Sequence, residues 1–129
     1  MPTKQNLMGA GCAPLQAVAS MGFVSGALTA VGSTQGTALV LPSDFNIITT
    51  AAASTGVILP ASSANYQVAD TVIVVNHGAN AILVYPQTGG KIGVGATNAG
   101  LSVGSGKTGT FTLVDATSGA NIWASQVSA

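Results

Sequence analysis

The chain has 129 residues, one domain by length, yet only three Lys, three Asp and one His, with no Arg and no Glu. Charged residues are 5% of the chain, against about a quarter in ordinary soluble domains. Lys4, Lys91 and Lys107 are scattered, which excludes the clustered cations that nucleic acid or an anionic membrane surface requires.

The first stretch, residues 1–22, is small-residue and apolar, broken by Gly9, Gly11, Pro14 and Gln16. These breaks argue against an export signal's hydrophobic segment. The single cysteine, Cys12, has no partner for an intrachain disulfide. Residues 1–22 are therefore read as an extended or irregular N-terminal arm, and residues 23–129 as the folded domain. An apolar arm that cannot cover itself is expected to lie on another surface.

A strand is expected from Phe23, with Gly22 and Gly26 as breaks, and a turn over Gly32 to Gly36. Ala38-Leu39-Val40-Leu41-Pro42 is a short apolar strand closed by proline. Phe45 to Thr50 is the next strand. Gly56-Val57-Ile58-Leu59-Pro60 then repeats the earlier proline-closed pattern 18 residues on, a sign of two related β-units. A polar loop over Ala61 to Ala69 leads to the centre of the chain.

That centre is Asp70 to Gln87. Two apolar runs, Thr71 to Val75 and Ala81 to Tyr85, flank Asn76-His77-Gly78-Ala79-Asn80. The spacing predicts a β-hairpin with a five-residue loop. Neither run has a polar face, so both faces of these strands must be covered, by a second sheet, another subunit, or both. Short strands are expected over Lys91 to Val94, Leu101 to Val103, Thr110 to Val114 and Asn121 to Ser125, with Gly-rich turns between. No stretch shows sustained helical spacing, and none has 18 uninterrupted apolar residues. The fold expected is all-β: an antiparallel sandwich or barrel-like domain of about eight to ten short strands behind the extended arm.

Candidate chemistry is sparse. Gly104-Ser105-Gly106-Lys107-Thr108 resembles the end of a phosphate-binding loop, but Leu101 stands where the first glycine belongs. It also leads into a strand, not into the helix whose N-terminus would hold phosphate. A β-turn is the expectation. One His, one Cys and three dispersed Asp do not make a zinc set or a carboxylate pair. Tyr66, Tyr85 and Trp123 could form a sugar platform but suit core or interface packing better. Asn76 and Asn80 read as turn residues. No catalytic, cofactor-binding or metal-binding residue is assigned, and no cofactor is expected.

Ala, Gly, Ser and Thr make up half of the chain. A surface with so few charges offers little repulsion between copies, so association is expected. Disorder is not, because the hydrophobic fraction is 47%.

Several segments carry a family resemblance. Ala30-Val31-Gly32-Ser33-Thr34-Gln35-Gly36-Thr37-Ala38, Gly56 to Pro60, Val75 to Asn80 and Val84 to Ile92 resemble small β-rich structural proteins of tailed bacteriophages. So do the Ser-Gly-Lys turn, the Thr-Phe-Thr strand and the terminal Trp. The resemblance implies a non-enzymatic virion protein of the capsid decoration, or cement, type. It implies a homotrimer bound to the major capsid protein at the virion surface, made in the host cytoplasm. A head or tail fibre module and a carbohydrate-binding β-sandwich are the alternatives.

Overall fold

The computed structural model describes Gly11 and residues 24–62, 66–117 and 121–129. The expected arm, residues 1–22, lies outside the described residues except for Gly11. Ten strands are present among the described residues: β1 (Val24–Ala30), β2 (Leu39–Val40), β3 (Phe45–Ala51), β4 (Thr55–Ile58), β5 (Thr71–Asn76), β6 (Ile82–Tyr85), β7 (Lys91–Ile92), β8 (Leu101–Val103), β9 (Thr108–Asp115) and β10 (Ile122–Val127). One 3-10 turn, Gln35–Thr37, is the sole helical element among the described residues.

The strands form two sheets. The larger has the order β1-β3-β5-β9-β10-β7, and the smaller β2-β4-β6-β8. The chain changes sheet at every step from β1 to β6. Each strand therefore returns to its own sheet after a detour through the other, running the same way as its predecessor. This makes β1·β3, β3·β5, β2·β4 and β4·β6 parallel. The strand in the opposite sheet serves as the crossover that parallel pairing needs. Only then does the chain turn back, with β5·β9, β9·β10 and β6·β8 antiparallel and β7 parallel beside β10.

Two expectations are corrected here. The all-β character and the strand number stand, but the sheets are mixed and mainly parallel in their first half, not an antiparallel sandwich or barrel. And Asp70 to Gln87 is not a hairpin: β5 lies in the larger sheet and β6 in the smaller. The five residues between them are a corner where the chain crosses from sheet to sheet.

The proline-closed repeat has a direct structural meaning. Leu39 pairs with Val57 and Val40 with Ile58, so the 18-residue offset is the register of the pairing. Val84 and Tyr85 continue the same rows on β6, and Pro86 closes that strand as Pro42 and Pro60 close the others. Before each of the first two prolines the ladder gains one more bond: the Leu41 amide donates to the Ile58 carbonyl, and Leu59 to Tyr85. Proline has no N–H to continue, so the three strands end together.

One core lies between the sheets. The larger contributes Ile48, Val72, Val74, Phe111, Leu113 and Trp123, and the smaller Val57, Ile82, Val84 and Val103, all fully buried. Buried asparagines close the corners. Asn46 Nδ2 donates to the Ser43 carbonyl at 2.6 Å, and its Oδ1 accepts from the Ser43 amide. On the outermost strand β1, Gly26 and Ala27 stand opposite one residue of β3, and Ala27 has a φ of 57°. Such a bulge twists an open edge away from chance pairing.

Candidate functional site

The corner between β5 and β6 carries the only histidine and is cross-linked by side-chain hydrogen bonds. Asn76 is fully buried. Its Nδ2 donates to the carbonyls of Asn80 (2.9 Å) and Val103 (3.0 Å), and its Oδ1 accepts from the Gly78 amide (2.9 Å). Asn80 Nδ2 donates to the Ala51 carbonyl at the end of β3. Gly78 packs so closely on Ala51 that an added Cβ would lie 2.5 Å from the Ala51 Cβ. His77 is exposed, and its amide is held by the Ile48 carbonyl. The corner is thus built to tie β3, β5 and β8 together, with Asn76 and Asn80 as its turn residues.

The Gly104–Lys107 segment is a β-turn, closed by the Lys107 amide on the Gly104 carbonyl. Gly106 has a φ of +74°. The turn runs into β9, a strand, so no helix N-terminus faces it. The Asn76 amide donates to the Lys107 carbonyl and the Gly106 amide to the Asn76 carbonyl. The Lys107 ammonium donates to the carbonyl of Ala129. The Gly106 and Lys107 amides, which would have to face a phosphate, bond within the protein.

Trp123 is 0% exposed and sits in the core, and Tyr85 is nearly as buried. Neither offers a ring to a sugar. Trp123 Nε1 has no hydrogen-bond partner among the described residues. Tyr66 lies half-buried beside Asp44, to which its hydroxyl bonds. Burial first, and then the negative charges of Asp44 and Asp70, raise its pKa above the ordinary 10.0. Asp70 Oδ2 in turn accepts from the Gln67 amide. Asp115 is occupied locally by the Thr117 hydroxyl and amide, which lower its pKa. Among the described residues no three His, Cys, Asp or Glu group as a metal set would. No described helix is long and apolar enough to cross a membrane.

The remaining feature is a surface. On β3 and β5, Asn46, Ile48, Val72, Val74 and Asn76 point into the core. Phe45, Ile47, Ile73 and Val75 alternate with them, are half-buried, and do not pack on the core. They lie on the outer face of the larger sheet. Strand register aligns them into rows: Val24, Phe45, Ile73, Thr110 and Gln126 across five strands. Beside this row run Ile47, Val75 and Thr108 on one side, and Thr71, Thr112 and Ala124 on the other. None of these side chains is charged. One half is aliphatic and aromatic, and the other is threonine-rich. At the threonine end lies a shallow hollow of about 210 Å³ lined by Thr110, Thr112, Ala124, Ser125 and Gln126. The apolar run Thr71 to Val75 shows in the sequence alone that Ile73 and Val75 need cover, but nothing local joins them to Phe45 and Ile47, because the parallel register that unites them is non-local.

No protein-family model, no curated protein and no solved structure matches the chain.

Proposed function

We propose that this chain is a non-enzymatic virion structural protein that decorates and stabilises a phage capsid as a homo-oligomer, a trimer by the family resemblance. The observation that carries this reading is the uncharged outer face of the larger sheet, with Phe45, Ile47, Ile73 and Val75 half-buried on it. Interface centres are depleted of charge and more apolar than the rest of the surface. The chain's low charge also removes repulsion between copies packed closely on a shell. The resemblance of residues 23–125 to phage decoration proteins supplies the assembly. In this reading residues 1–22 reach the major capsid protein, and several weak attachments combine through multivalency.

Imaging of the particle tests it. Hundreds of copies over the shell are expected, and deletion of residues 1–20 is expected to abolish capsid binding. A few copies confined to one vertex would instead support a head or tail fibre module. One observation favours that second reading: the parallel winding of β1 to β6 is a stacked-coil arrangement that lends itself to elongation.

A further inference from the structure

We infer that the outer face of the six-stranded sheet is where copies of this chain meet, the aliphatic half of one copy seating on the threonine-rich half of the next. This rests on the homo-oligomer reading above and assigns it a surface.

The face is complementary to itself. Val24, Phe45 and Ile73 project at one end of the central row, and the hollow between Thr110, Thr112, Ala124 and Gln126 lies at the other. The lining of that hollow is mixed, uncharged hydroxyl and amide side chains beside Ala124. Thr71 and Thr112 bond to each other through their hydroxyls at 3.0 Å, so these two hydroxyls already have a partner within the face. No charge lies in any of the three rows, so nothing ionic has to be stripped of water when two such faces close.

Contact between different ends of the same face is heterologous, and a heterologous contact that closes makes a ring. Five strands at about 4.8 Å spacing and about 3.3 Å per residue give a face of roughly 24 Å by 20 Å. Half of one face on half of the next buries on the order of 500 Å² per contact, below the ~1,000 Å² of a stable specific interface and in the range of weak ones. Each contact is therefore weak by itself, and association is reversible on dilution.

Sedimentation velocity of the full chain, with native mass spectrometry, tests this. Ile73→Lys places a charge at the centre of the row, and Thr110→Lys at the rim of the hollow. Val94→Lys, on a fully exposed loop tip, is the control. Wild type and control are expected as oligomers that dissociate on dilution. Each row variant is expected to weaken association at least about tenfold while keeping the wild-type circular dichroism and melting profile. If both variants fold and stay oligomeric, the surface assignment fails while the oligomer reading stands. If wild type is monomeric at high concentration, both fail. If deletion of residues 1–20 turns a monomer into an oligomer, the chain's own first segment covers the face and the assignment is overturned. Particle copy number is read separately, so the capsid reading stands or falls on its own.

Discussion

At the scale of single residues, polar side chains fix this molecule as firmly as apolar ones do. Asn46 and Asn76 are fully buried on strands whose neighbours include half-buried Phe45 and Ile73. Hydropathy alone would place them the other way round. Their amides satisfy backbone groups at the corners, and a buried group left without a partner costs about 1–3 kcal/mol. Tyr66 gives a pH-dependent contribution. Its phenol is an acid whose pKa is raised in the fold by burial and by Asp44. The neutral form is the one the fold favours, so its contribution is complete below the unfolded value of about 10. That contribution is lost as pH climbs through the raised folded value. Thermal melts from neutral to alkaline pH are expected to show a loss of stability above that point, and Tyr66→Phe is expected to flatten it.

At the scale of elements, the strands were legible and their partners were not. Leu101–Val103 was readable to the residue, and β3, β4, β5, β6, β9 and β10 to within two residues at either end, because β-branched runs bounded by Gly and Pro are local signals. The hairpin expected over Asp70 to Gln87 failed for a physical reason. Asn76 uses its side chain to turn the chain out of one sheet, and Ile82 and Val84 are needed opposite Val72 and Val74 across the core, not beside them. The smaller sheet depends on close approach. Gly56 on β4 is buried, and a Cβ there would lie 2.7 Å from the Leu83 carbonyl oxygen and 2.8 Å from the Tyr85 ring. Gly56→Ala is expected to lower stability by roughly 1–3 kcal/mol, the usual cost of overpacking. Gly36→Ala, where a Cβ meets open space, is expected to change it little. Denaturant titration of both variants checks the contrast.

At the scale of the whole molecule, the notable property is how little charge the chain carries. Five charged residues fall among the described ones: Asp44, Asp70, Lys91, Lys107 and Asp115. None lies in the three rows of the outer face. Self-association through that face is therefore apolar in origin, and such contacts are not weakened by ionic screening. Sedimentation profiles are expected to be the same in low and in high sodium chloride. Dissociation by salt would point to the few charged side chains as the contact. The same face was partly visible beforehand: two-sided apolar strands at Thr71 to Val75 showed that something must cover Ile73 and Val75. What the sequence could not show was the extent of the surface, since its rows cross strands brought together from Val24 to Gln126.

The sequence by itself determined the all-β character, the approximate number and placement of strands, the proline stops, Asn76 and Asn80 as turn residues, and the scarcity of charge. Each is encoded locally, in β-branched runs, in proline's missing N–H, in asparagine's reach to nearby backbone, or in composition. Only the tertiary structure decided that the first six strands alternate between two sheets, that their pairing is parallel, that Trp123 is core, and that Phe45 and Ile47 share an outer face with Ile73 and Val75. The parallel pairing of β1 to β6 joins residues 18 to 28 positions apart through an intervening strand of the other sheet. No local pattern specifies it; burying one apolar face from each sheet in a common core does.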